Sequence, residues 1–190
     1  MYDKQRLKSA WSNLLRPLFV PLENRGVTPT HITLTGVLLI MSGCLLLLQG
    51  YTYYALPAFI AGGLCDTLDG AYARASGQVT RFGGFLDSVV DRYNEFTLVG
   101  CVLYLYRSDP FFYYWGFLMF SGIALMSYTR ALYEKNGFQC PGNPFEYFER
   151  GIYFLCFFAW GRLDLWLVLV ALGTHLSIVY RLYAFKRLAI

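Results

Sequence analysis

At 190 residues, 56% hydrophobic and 19% aromatic, with a mean hydropathy of +0.41, the chain is too apolar for a soluble domain of its size. It reads as one all-α integral membrane domain over 1–190. A net charge of +4, scattered along the chain, excludes a nucleic-acid partner, which needs a concentrated basic face. Cys44, Cys65, Cys101, Cys140 and Cys156 form no CxxC pair, which excludes a structural zinc site and a disulfide frame.

The first predicted element, residues 3–20, is an amphipathic helix lying on the membrane surface. Leu7, Trp11, Leu14, Leu15, Leu18 and Phe19 recur at three and four, while Lys4, Arg6, Lys8 and Arg16 lie mostly elsewhere. An ordinary packing helix is the alternative. Pro17 and Pro21 are expected to bend or end it. The segment has no clean apolar core and does not read as a signal peptide.

After the turn ENRGVTP, six transmembrane helices are predicted at 31–49, 52–74, 82–106, 110–134, 145–161 and 164–184. Each is near the ~20 residues a bilayer requires, and together they form a bundle over 31–184. Tyr51, Tyr53, Tyr54, Tyr113, Tyr114 and Trp115 read as interfacial belts. His31 and His175 stand alone and read as packing or hydrogen-bonding residues. An even number of spans puts both termini on one side, with Arg74, Arg81 and Lys135. The opposite loops carry only Arg107 and Arg162. The positive-inside rule assigns the first side to the cytoplasm of a cell-membrane protein.

Within these apolar segments lies CDTLDGAYARASGQVTRFGGFLDSVVDR, with aspartates at 66, 69, 87 and 91. One carboxylate at a membrane helix centre costs ~2.5–3.5 kcal/mol, so a cluster needs compensation. Asp66, Asp69, Gly70, Ala73 and Arg74 share one helical face; Gly83, Asp87 and Asp91 share another. The short link ASGQVTR makes the two helices antiparallel neighbours, so the two faces can meet in a pocket at the cytoplasmic end.

Magnesium and manganese take oxygen ligands and complete their shells with substrate phosphates. Three of these carboxylates suit one or two such ions, and two ions can clamp a phosphoryl group between attacking and leaving oxygens. The fourth can accept a proton from an attacking hydroxyl, and Arg74 supplies a fixed charge for a phosphate. No GxxxxGK[ST] loop is present, which argues against nucleoside-triphosphatase chemistry. A cation or proton transporter would also embed carboxylates. It would continue polar residues to the far side, where FTLVGCVLYLY and YYALPAFIAGG are apolar.

Asp66-x2-Asp69-Gly70-x2-Ala73-Arg74-x8-Gly83-x3-Asp87-x3-Asp91 resembles, with every spacing intact, the motif of the CDP-alcohol phosphotransferases. The resemblance implies a membrane transferase of phospholipid biosynthesis. A small alcohol attacks the lipid-side phosphate of a CDP-lipid, usually CDP-diacylglycerol, and CMP leaves. It implies Asp66, Asp69 and Asp87 as metal ligands, with Asp87 bridging two Mg²⁺ or Mn²⁺ ions. Asp91 would be the general base facing the second metal. Asp66, Asp69, Gly70, Ala73, Arg74 and Gly83 would line the nucleotide site, and the protein would be a homodimer.

SYTRALYEKNG, EYFERGIYF and THLSIVYRLYAFKR resemble the branch that uses inositol phosphate, making phosphatidylinositol phosphate or its archaeal ether-lipid analogue. Arg130, Arg150 and Arg181 would then bind the acceptor phosphate, although Leu132 stands where the branch usually has a second basic residue. Thr30 replaces the asparagine common in the turn. Glycerol 3-phosphate would suit the same charges, and serine, inositol, ethanolamine or choline are the unphosphorylated alternatives. Arg130 also sits where a basic residue snorkels to the surface, and Arg150 lies four residues after Glu146, the spacing of a simple helical ion pair.

Overall fold

The computed structural model describes residues 15–188, and these are all α, with no strand among them. Helix α1 covers residues 15–24. It is followed by α2 (Pro29–Leu48), α3 (Thr52–Ala75), α4 (Arg81–Leu105), α5 (Pro110–Lys135), α6 (Tyr147–Trp160) and α7 (Leu163–Leu188). None of the five cysteines forms a disulfide. The chain groups into two compact units, divided between Glu95 and Phe96.

Local chemistry sets the helix ends. Pro29 and Pro110 occupy first-turn positions, where a missing N–H costs nothing. Asp109 caps α5 by accepting a hydrogen bond from the Phe111 N–H at 2.9 Å. His31 caps α2 from inside: its Nδ1 accepts from the Thr28 N–H at 3.1 Å. His175 donates to the Ala171 carbonyl at 2.9 Å. Gly77, at φ 68°, turns the chain after α3.

In the first unit, most of the expected surface helix, residues 3–14, lies outside the described residues. The described part departs from the expectation. Helix α1 continues through Pro17 and Pro21 to residue 24. Phe19 is buried edge-on against Tyr72, ring centroids 5.2 Å apart, with Leu15 and Leu22 packed beside Ala71 and Tyr72. Those contacts hold the turn that the prolines weaken. Over these residues one side of α1 packs on α3, while Leu18 and Val20 stay exposed.

Helices α2 and α3 lie close together because small residues face each other. A Cβ at Gly62 would stand 2.8 Å from the Ile40 side chain and 3.1 Å from the Gly36 carbonyl oxygen. Close approach of this kind is how membrane helices gain packing when the surrounding lipid is equally apolar. Gly62→Leu is expected to force α2 off α3 and cost ~1–3 kcal/mol, read as a lower thermal midpoint in detergent. Gly63→Leu, whose Cβ would meet nothing within 4 Å, is expected to leave the midpoint unchanged. Equal effects would show that the packing is not set here.

The outer face of α2 is apolar too: Leu34, Leu38, Met41 and Leu45 are exposed, opposite buried Thr33, Gly36, Ile40, Gly43 and Leu47. A helix that is apolar all round belongs in lipid or a large core. Among the described residues, α2, α5 and α7 are long and apolar enough to cross a membrane. The aspartates lower the hydropathy of α3 and α4. Helix α6 departs from the expected span: its 14 residues are fewer than the ~17 at the lower limit for a transmembrane helix.

In the second unit, α5 packs on α7. Gly122 faces Thr174, and the Thr174 hydroxyl turns back onto the Val170 carbonyl at 2.7 Å. Helix α7 runs four residues further than the expected end at 184.

Candidate active site

The aspartates lie on the last turns of α3 and the first turns of α4. Carboxylate oxygens of Asp66, Asp87 and Asp91 all come within 4.8 Å of one another, and each side chain is half-buried. Three carboxylates so close repel one another unless a cation or protons intervene. Hard oxygen donors in this number fit Mg²⁺ or Mn²⁺. Arg92 flanks the group, with Nη2 3.6 Å from Asp91 and 3.3 Å from Glu95.

Beside this trio is a cavity of about 600 Å³ whose walls include Asp69, Gly70, Ala73, Arg74, Gly83 and Asp87. Five of the six residues expected at the nucleotide therefore face one space; Asp66 belongs to the carboxylate trio instead. Gly70 leaves room for Arg74 to lie back along α3, since a Cβ there would meet its Nη1 at 3.2 Å. The Gly83 N–H donates to Thr80 Oγ1 at 2.9 Å, which caps the start of α4 at the cavity wall.

Asp69 stands apart from the trio. It is 4% exposed, and its Oδ2 accepts a hydrogen bond from the Thr33 hydroxyl at 2.5 Å. Of the four aspartates expected at the metal, Asp66, Asp87 and Asp91 are the three whose oxygens lie within 4.8 Å of one another, and Asp69 lies beside them on the cavity wall. Sequence reasoning missed Thr33 and also Tyr72, whose hydroxyl donates to the Val27 carbonyl at 2.6 Å and ties the turn before α2 to α3. These partners are separated by 36 and 45 residues, beyond any periodic signal.

The three arginines expected at the acceptor lie in the second unit. Arg130 is exposed and pairs with Glu134 at 3.1 Å. Arg150 is 3% exposed and donates to the Phe145 carbonyl at 2.5 Å. Glu146 pairs with Arg181 at 2.5 Å. Arg181 is 1% exposed and also donates to the Met126 carbonyl at 2.7 Å and Thr129 at 3.3 Å. Glu146→Ala would leave that guanidinium buried without its anion. Breaking a buried pair costs ~3–5 kcal/mol, and the lower end applies because Glu146 is 31% exposed. The expected thermal destabilisation in detergent should shrink when Arg181→Met is added; an additive double variant would refute the pairing.

Paired faces of small residues and carboxylates thus meet at one cavity, in a helical chain with three helices apolar enough to cross a membrane among the described residues. Residues 26–179 match the CDP-alcohol phosphatidyltransferase family. The chain belongs to that family and is a transferase. It is 31% identical over 177 residues to the archaetidylinositol phosphate synthase of Pyrococcus horikoshii, covering 87% of each chain. Its fold is similar to that of phosphatidylinositol phosphate synthase of Mycobacterium tuberculosis with CDP-DAG bound. The TM-score is 0.79 and the identity 26%, over 90% of this chain and 92% of that one. The same mycobacterial protein in complex with manganese and citrate gives a TM-score of 0.78 at 26% identity, over 88% and 86% of the two chains.

Proposed function

We propose that this transferase moves a phosphatidyl-type group from a CDP-lipid, either CDP-diacylglycerol or an ether analogue, to inositol phosphate and releases CMP. The acceptor hydroxyl oxygen bonds to the lipid-side phosphorus as the bond from that phosphorus to the CMP oxygen breaks. Asp91 takes the hydroxyl proton. Asp66, Asp87 and Asp91 hold divalent metal, with Asp69 as a further carboxylate for a two-ion site. Bound Mg²⁺ or Mn²⁺ supplies charge neutralisation for the pyrophosphate and the departing CMP. Gly70, Ala73 and Gly83 leave room for the nucleotide against the backbone, and Arg74 offers its guanidinium to a phosphate. The observation that carries this reading is the meeting of Asp66, Asp87 and Asp91 within 4.8 Å, beside the cavity that Asp87 also lines.

The acceptor phosphate is proposed to meet Arg130, Arg150 and Arg181, a choice supported by the similarity to inositol phosphate-type synthases. Segments α2 to α7 form the proposed six-helix membrane-embedded bundle of a single catalytic domain. The aspartates face the cytoplasm, where the basic loops gather, and residues 3–14 are proposed to lie on the membrane surface. This arrangement lets lipid tails remain in the bilayer while the head group meets a soluble acceptor. The protein is proposed to act as a homodimer.

The test is release of radiolabelled CMP from CDP-diacylglycerol and from its ether-lipid analogue in detergent, with and without Mn²⁺, across a set of acceptors. Metal-dependent release with inositol phosphate, exceeding that with glycerol 3-phosphate or free inositol by at least ~10-fold, is expected. Faster release with glycerol 3-phosphate or an unphosphorylated alcohol would overturn the acceptor. No release with any acceptor would overturn the reaction.

A further inference from the structure

Thr33 is not part of the aspartate motif, yet its hydroxyl reaches from α2 to a motif carboxylate on α3. Its hydroxyl has a single proton and two acceptors in reach. The Pro29 carbonyl, one turn earlier on its own helix, is at 3.2 Å; Asp69 Oδ2 is at 2.5 Å. An ionised acceptor at the shorter distance makes the stronger bond. Thr33 is 7% exposed and Asp69 4%, and a buried carboxylate oxygen left without a donor is costly.

The position of Thr33 is itself fixed. It lies one turn before Gly36, whose Cβ would stand 3.1 Å from the Cys65 side chain and 3.3 Å from the Gly62 carbonyl. The α2–α3 contact therefore presses the hydroxyl against Asp69 and leaves little freedom to slide. Both residues line the cavity that also contains Gly70, Arg74 and Asp87. With Oδ2 held by Thr33, rotation of the Asp69 carboxylate is restrained.

We infer that Thr33 is a positioning residue for the transfer reaction: from α2, it holds Asp69 in the orientation in which that carboxylate serves divalent metal and the CDP-lipid. The inference rests on the proposed metal-dependent reaction and adds a residue outside its motif. Partners that orient a ligating carboxylate typically change metal affinity or activity by ~10–100-fold when removed.

The experiment compares full-length wild type, Thr33→Val and Thr33→Ser in detergent. Mn²⁺ binding is measured by electron paramagnetic resonance, with turnover of CDP-diacylglycerol alongside. Thr33→Val keeps the shape and removes the donor; it is expected to raise the Kd for Mn²⁺ by ~10–100-fold. Thr33→Ser restores the hydroxyl and is expected to bind within about threefold of wild type, with the same ordering in turnover. A purely space-filling role would leave Thr33→Val at least as good as Thr33→Ser. That result, or equal Mn²⁺ affinity in all three proteins, overturns the inference while leaving the metal reading intact. Wild type that neither binds Mn²⁺ nor releases CMP overturns the underlying reading and this inference together. If Thr33→Val does not fold, Thr33→Ser decides: near-wild-type Mn²⁺ affinity supports the inference, and a loss of tenfold or more overturns it.

Discussion

Asp91→Asn is expected to lower the turnover of CDP-diacylglycerol by ~10²–10⁴-fold, the range for removal of a general base. The substitution keeps the size of the side chain and one carbonyl oxygen but leaves no group that accepts a proton near neutral pH. Asp91 lies one turn beyond Asp87 on α4 and is also a member of the carboxylate trio, so the variant is expected to bind metal more weakly as well. The two losses separate experimentally. CMP release is measured in single turnover while Mn²⁺ is raised to saturation. A base cannot be replaced by more metal, so the rate should stay depressed. Recovery to within a few-fold of wild type at high Mn²⁺ would show that Asp91 serves only as a ligand.

The helices were legible because proline and glycine punctuate them. Pro29 and Pro110 open α2 and α5, while Gly50 and Gly161 follow α2 and α6 in the left-handed conformation. Most boundaries fall within two residues of the expected ones. The end of α7 does not, because no breaker follows residue 184 and the apolar pattern simply thins out. Helix α6 came out short because the segment before it, Asn143 to Phe145, makes a turn in which Asn143 Oδ1 accepts from the Phe145 N–H at 2.8 Å.

The site was legible to a different degree. Acids in a membrane chain are conspicuous, and helical spacing placed them on two faces. Spacing could not say which three would meet, since that depends on how far α3 and α4 diverge. It also gave no hint of Thr33 against Asp69 or of Arg181 against Glu146. In a soluble helix the polar stripe marks the outside. Here Leu34 and Leu38 face outward while Gly36 and Gly43 face inward, so hydrophobicity does not identify the packed side. The small residues do, and they mark where helices cross without naming the partner residue.

Asp87→Ala is expected to abolish metal-dependent binding of CDP-diacylglycerol, raising its Kd in the presence of Mn²⁺ by at least ~100-fold, or about 2.8 kcal/mol. Asp87 belongs both to the trio and to the cavity wall, so its loss disconnects metal from nucleotide. The electrostatics give a second readout with a definite sign. Two ionised carboxylates within 4.8 Å of each other repel by at least roughly 3 kcal/mol at an effective dielectric constant of about 20. In chelator, removal of one such group should therefore leave the thermal midpoint unchanged or raise it. Added Mn²⁺ stabilises the wild type in proportion to the logarithm of its concentration above Kd; in Asp87→Ala that rise should be largely absent. Calorimetry of CDP-diacylglycerol binding, with and without Mn²⁺, reports the first effect, and the thermal midpoint reports the second. If the variant keeps both the Mn²⁺-dependent binding and the Mn²⁺-dependent rise in midpoint, Asp87 does not join the metal to the nucleotide. If it loses stability in chelator, the trio is held by hydrogen bonds or shared protons, and charge repulsion is not what a cation would relieve.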